Sequence, residues 1–274
     1  MRSLKVPFFE YSRLFKDDRE SLLAVIEDVG NRGAYILQKD VVEFEAALAN
    51  YVGTKFAIGV ANATDALEIA WTAVGLKPGD EVIISSHTML ATASAIVVAR
   101  GVPVPVDIGS DNLIDPAAVE SAITSRTVGI SPTHLNGRTC AMDEISAIAK
   151  KHKLAIVEDS AQGLGSKFDG KMAGSFGDAA AFSFYPAKIL GSMGDGGAIT
   201  TNDLALHEKM YQMHDHGRDT QGEIKSWGRN SRLDNLQAAI LNFRFKTYEE
   251  TIKRRREIAT RYNDSLGGIA ALSL

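Results

Sequence analysis

Apolar positions along the chain follow two alternating rhythms. Over residues 17–30, Leu22, Leu23, Ile26 and Val29 recur at helical spacing, as do Val41, Phe44, Leu48 and Tyr51 over 40–52. The period then shortens. FAIGV (56–60), EVIIS (81–85), TVGIS (127–131) and LAIVED (154–159) are brief apolar runs that read as strands, and VPVPVDI (102–108) is extended because a residue before proline is pushed toward β geometry. Between them lie helical stretches: an Ala-rich segment to about 74, then 89–100, 115–124 and 142–152. Near-continuous apolar strands alternating with helices predict an α/β fold with a mostly parallel central sheet buried between flanking helices. From 166 to 201 the pattern predicts short strands and turns, and helix returns over 203–214 and 234–262.

In such a sheet, ligands bind beyond the carboxyl ends of the strands. Three features fall there. Asn62-Ala63-Thr64-Asp65 lies between a strand and a helix. A helix start offers free amides and the positive end of the dipole to a phosphate, although plain capping by Asn62 or Thr64 explains the same four residues. Glu158 and Asp159 close a buried strand, and alternation points them to opposite faces, so one of them at most faces a given ligand. A capping acid is the alternative. SFYPAKILGSMGDGGA (183–198) sets Lys188 among Ala187, Ile189 and Leu190, ahead of a glycine-rich stretch. Most lysines are solvated, but desolvation lowers a lysine pKa and makes it a usable amine nucleophile.

Composition narrows the class. Of 274 residues, 30 are Lys or Arg and 34 are Asp or Glu, a net charge of −4, with 45% hydrophobic residues; this excludes intrinsic disorder and argues against a dedicated nucleic-acid binder. KRRRE (253–257) sits among acidic residues at helical spacing and reads as a solvated face with local ion pairs. The lone cysteine, Cys140, excludes an intrachain disulfide framework and fits a reducing cytoplasm. No stretch reaches the roughly 20 apolar residues of a membrane helix, and the first residues lack a signal-peptide pattern. The six histidines show no metal-ligand spacing, so no metal is expected.

Taken in order, NATDAL (62–67), SHTMLATASAIVVARGVPVPVDI (86–108), THLNGR (133–138), VEDSAQGLGS (157–166), FSFYPAKILGSMGDGGA (182–198), HGR (216–218) and RNSRLDNLQAAI (229–240) resemble the DegT/DnrJ/EryC1/StrS family, pyridoxal-phosphate aminotransferases of nucleotide-linked sugars with fold type I architecture. The resemblance runs from Val6 to Tyr262. It implies pyridoxal 5′-phosphate as cofactor, with an amino-acid donor, glutamate by family analogy, and a keto-sugar nucleotide acceptor. Lys188 matches the family lysine that bonds the cofactor and later moves protons. Asp159 matches the carboxylate on the pyridinium nitrogen, and Gln162 a contact on the phenolic-oxygen side. Ala63, Thr64 and Ser183 match phosphate donors. Asn230 matches a residue reaching the phosphate from a neighbouring subunit, which implies a homodimer. Met89 stands where many members stack an aromatic ring on the cofactor. Some relatives carry histidine in place of the lysine and are dehydratases; Lys188 points to transamination.

The resemblance also implies a division into an N-terminal segment (1–30), a large cofactor-binding domain (31–240) and a helix (241–274) leading into a small domain. Family members run on for roughly another hundred residues there, a domain-sized unit. A chain lacking most of that domain is therefore expected. The alternative to an active aminotransferase is a cofactor-binding protein without transaminase activity, serving as a structural or regulatory subunit.

Overall fold

The computed structural model describes residues 9–272. The resemblance's first residues, Val6–Phe8, and parts of the 1–30 and 241–274 segments lie outside the described residues. Short helix α1 (Tyr11–Asp17) leads into α2 (Arg19–Arg32) and α3 (Lys39–Val52), the two amphipathic stretches read from the sequence. Strands β1 (Phe56–Val60), β2 (Glu81–Ser85), β3 (Val102–Val106), β4 (Thr127–Ser131) and β5 (Ala155–Asp159) alternate with α4 (Ala63–Val74), α5 (Leu90–Val98), α6 (Pro116–Ser121) and α7 (Met142–His152). Two short strands, β6 (Lys167–Phe168) and β7 (Lys171–Met172), form a separate ribbon. β8 (Ala179–Ser183) and β9 (Gly197–Thr201) then return to the main sheet, followed by α8 (Leu204–His214), α9 (Asn235–Phe245) and α10 (Tyr248–Leu266).

The seven-stranded sheet has the order β1-β9-β8-β5-β4-β2-β3. β9 pairs antiparallel with both β1 and β8, whereas every other pairing is parallel, so six strands share one direction and β9 opposes them. Alternate strand residues feed opposite faces, as the pleat requires. Ile58, Val82, Ile84, Val157, Ala179 and Ile199 meet α4, α5 and α8 around the fully buried Trp71. On the other face, Ala57, Ala180, Phe182 and Ala198 pack beneath α3 and α9, and Ile83, Ile130 and Ile156 pack with Met142, Ile145 and Ile148 of α7. Gly129 marks one close approach: a Cβ there would lie 2.5 Å from the Trp71 ring.

The helical readings need correction in two places. The helical reading over 234–262 resolves into two helices that break at Lys246 and Thr247. Tyr248, immediately after the break, is buried, and its hydroxyl donates to the Leu164 carbonyl at 2.9 Å; seating that ring redirects the chain. A division after residue 240 falls inside α9, whose Ala238, Ile240 and Leu241 are buried in the core. α6 is also shorter than the 115–124 reading.

Candidate active site

The carboxyl ends of β5 and β8, the start of α4 and the loop after β2 surround a cavity of about 590 Å³. Lys188, Asp159, Ala63, Thr64, Met89, Gln162 and Ser183 all line it. Seven of the eight residues singled out in the sequence therefore converge. Asn230 does not: it is exposed, bridged to Asp215, and absent from this lining.

Each side chain is placed by its element. Asn62 is the N-cap of α4, its Oδ1 accepting the Asp65 N–H at 2.9 Å. The capping reading thus holds for Asn62, and the helical amides of Ala63 and Thr64, one residue and two residues into the helix, are left without intrahelical acceptors. Gly197 of β9 backs this turn so closely that a Cβ would lie 2.4 Å from the Asn62 carbonyl carbon and 2.8 Å from the Ala63 nitrogen. The first turn is thereby held against the sheet, and Ala63 and Thr64 line the cavity.

The two carboxylates closing β5 separate as alternation requires. Glu158 is fully buried away from the cavity, accepting N–H groups of Gly174, Phe176 and Gly177 at 2.7 Å each and contacting His134 Nε2 at 2.8 Å. His134 Nδ1 accepts the Cys140 N–H, so the imidazole donates from Nε2. Asp159 faces the cavity. Its Oδ2 accepts the Thr92 hydroxyl at 2.6 Å and its Oδ1 the Ala161 N–H at 3.1 Å.

Lys188 follows β8 in a turn closed by its own N–H on the Tyr185 carbonyl. Burial lowers its pKa, and the nearby charge of Asp159 opposes that shift. A part-buried amine facing a buried carboxylate can act as a nucleophile and as a proton carrier. Gln162 Oε1 accepts the Asn136 N–H at 3.1 Å, Ser183 Oγ accepts the Tyr185 N–H at 3.3 Å, and Met89, 65% exposed, caps α5 through a 3.1 Å contact from the Ala91 N–H to its sulfur.

A profile of the DegT/DnrJ/EryC1/StrS aminotransferase family matches residues 16–274. The chain belongs to this family. Among its relatives, the dTDP-3-amino-3,4,6-trideoxy-alpha-D-glucose transaminase of Streptomyces venezuelae is 39% identical over 98% of this chain and 72% of its own length. A pleiotropic regulatory protein of Geobacillus stearothermophilus is 42% identical over 94% of this chain and 70% of its own. The crystal structure of S. venezuelae DesV superposes with a TM-score of 0.93 at 39% identity, covering 97% of this chain and 72% of that one. NtdA of Bacillus subtilis, with bound cofactor PMP, gives 0.89 at 36% identity, covering 97% and 62%. The family's enzymes are aminotransferases that use pyridoxal phosphate.

Against that family background, sequence reasoning gave no role to several cavity residues. Thr88, Thr133, Tyr185 and Asp195 also line it. Thr88 and Thr133 follow β2 and β4, so their positions at parallel strand ends were the available signal. Thr92, inside a run of small residues, offered none. Among the described residues, no helix is long and apolar enough to cross a membrane.

Proposed function

We propose that this chain is a pyridoxal-phosphate-dependent aminotransferase that transfers an amino group from an amino acid, glutamate by family analogy, to a keto-sugar nucleotide. One observation carries the reading: a part-buried lysine of lowered pKa, a buried carboxylate and the open first turn of a helix face one cavity. The donor set suits the cofactor's three polar ends. The Ala63 and Thr64 amides with the Ser183 hydroxyl would hold its phosphate, where dipole and free N–H groups favour an anion. Asp159 would pair with the ring nitrogen, Gln162 would lie on the phenolic-oxygen side, and the Met89 thioether would pack on the ring face.

Once bound, the cofactor supplies an electron sink for the donor's α-carbon. The chain's own residues do the rest. Asp159 would set its carboxylate, held by Thr92 and Ala161, against the ring nitrogen. Lys188, a part-buried amine on the cavity wall, would hold the cofactor's aldehyde end and would carry a proton to and from the donor's α-carbon. Exposed and outside this cavity, Asn230 would reach the phosphate of a second copy, so the active form is a homodimer. A cytoplasmic setting, with Cys140 a buried free thiol, belongs to the same proposal.

A second reading, a regulatory protein that binds the cofactor without transamination, is favoured by the relative named as a pleiotropic regulatory protein. Both are tested by incubating the purified chain with pyridoxal phosphate, reducing with borohydride and mapping the mass increment. It is expected on Lys188. In a parallel single turnover, glutamate is expected to release 2-oxoglutarate in an amount equal to the bound cofactor. Labelling without 2-oxoglutarate, beside an active full-length relative, favours the regulatory reading. No increment on Lys188 removes both.

A further inference from the structure

We propose that Thr92, backed by Thr88 and Thr133, is a positioning residue that fixes the Asp159 carboxylate for the cofactor's ring nitrogen; this rests on the cofactor reading above. The three hydroxyls form a continuous chain. Thr133 Oγ1 lies 3.0 Å from Thr88 Oγ1, Thr88 Oγ1 lies 2.7 Å from Thr92 Oγ1, and Thr92 donates to Asp159 Oδ2 at 2.6 Å. A hydroxyl has one proton, and an ionised carboxylate only accepts. Thr92 spends its proton on Asp159, so it must accept from Thr88, and Thr88 must accept from Thr133. All three dipoles therefore point the same way, toward the carboxylate, and chains of this kind polarise one another.

The chain also stitches three neighbouring strands at their carboxyl ends. Thr88 follows β2, Thr133 follows β4 and Asp159 ends β5, and these strands are adjacent in the sheet. Thr133 itself bridges Asp159 through backbone, with the His134 N–H on the Asp159 carbonyl at 2.9 Å. With Oδ2 held by Thr92 and Oδ1 by Ala161, the carboxylate has one orientation, and its remaining lone pairs are left for the cavity.

Packing alone does not require a hydroxyl at residue 92. The side chain is fully buried, where valine has the same shape and needs no partner. A helical threonine usually returns its hydroxyl to the carbonyl four residues back, and Thr92 instead bonds the Thr88 and Asp159 side chains. Charge around Asp159 is sparse. α5 carries no ionisable residue, the post-β4 segment presents Thr133, and Glu158 and His134 face away. Lys188 is the cation opposite, while Asp65 and Asp195 stand elsewhere on the cavity wall.

The test compares Thr92→Val, Thr92→Ser and Thr88→Val with the unmodified chain. Pyridoxal-phosphate affinity is measured by equilibrium dialysis, the pH midpoint of the bound cofactor's visible band by titration, and folding by thermal melting. Losing a hydrogen bond to a charged group is expected to weaken binding about tenfold in Thr92→Val. The band's midpoint should move upward, because a ring nitrogen less firmly protonated withdraws fewer electrons. Thr92→Ser is expected to restore both, and Thr88→Val to show a smaller change of the same sign. A melting temperature lowered in Thr92→Val, with affinity and midpoint unchanged, would overturn the assignment and leave a structural residue. An unmodified chain that binds no pyridoxal phosphate would remove the cofactor reading and this proposal together; one that binds it equally with and without the Thr92 hydroxyl removes this proposal alone.

Discussion

Lys188 and Asp159 act on each other before any ligand arrives. Burial pushes the ammonium toward the neutral amine, and the Asp159 carboxylate is the influence that pushes back. The sign of a substitution follows. Asp159→Asn removes the opposing charge and leaves desolvation alone, so the Lys188 pKa falls further below its ordinary 10.5. In the ligand-free chain, the pH dependence of Lys188 modification by an amine-reactive reagent, followed by mass spectrometry, should show a midpoint below 10.5, and a lower one still in Asp159→Asn. Cofactor affinity should move the other way, weakening about tenfold or more as a charge-assisted partner is lost. A more reactive amine in a chain that holds the cofactor less well is an outcome that misfolding does not produce. A midpoint rising in Asp159→Asn would show that the two groups do not share the cavity as described.

At the scale of elements, the first turn of α4 separates capping from ligand holding. Asn62 satisfies the Asp65 N–H within the chain, whereas the Ala63 and Thr64 amides have no acceptor in their own helix. Asn62→Ala should therefore cost about 1 kcal/mol of stability, a fall of roughly 2–4 °C in melting temperature, with pyridoxal-phosphate affinity nearly unchanged. Gly197→Ala should lower both stability and affinity, since its Cβ would meet the backbone of the turn that carries those amides. The same scale shows what could be read in advance. β1, β2 and β4 match the sequence reading residue for residue, because each is a short apolar run closed by turn residues. The direction of β9 was not legible: GAITT has the same pattern run either way, and only its place between β1 and β8 makes it antiparallel. The break between α9 and α10 was hidden because Lys246 and Thr247 carry no proline or glycine, and what redirects the chain is the tertiary seat of Tyr248. In the site, Lys188 and Asp159 announced themselves as charges amid apolar residues. Thr92 did not, because a threonine among alanines changes neither periodicity nor charge.

Across the whole molecule, two adjacent carboxylates divide the labour of folding and chemistry. Glu158, itself fully buried, ties β5 to the segment before β8 through three backbone N–H groups and to the post-β4 segment through His134. Asp159, one residue on, turns to the opposite face and meets the cavity. Glu158→Ala strips four donors of their acceptor at once, and breaking a buried, hydrogen-bonded pair of this kind costs roughly 3–5 kcal/mol. Glu158→Gln keeps the volume but replaces one oxygen with an amide donor facing groups that are themselves donors, so it should recover only part of that loss. Chemical denaturation of both variants should show this large deficit, while at low temperature, where they remain folded, each should still bind pyridoxal phosphate within a few-fold of the unmodified chain. Asp159→Asn should give the mirror image, with its unfolding midpoint little changed and its cofactor affinity reduced. If Glu158 variants lost the cofactor while remaining folded, the buried network would belong to the site as well as to the scaffold, and the strand's alternation would no longer separate the two.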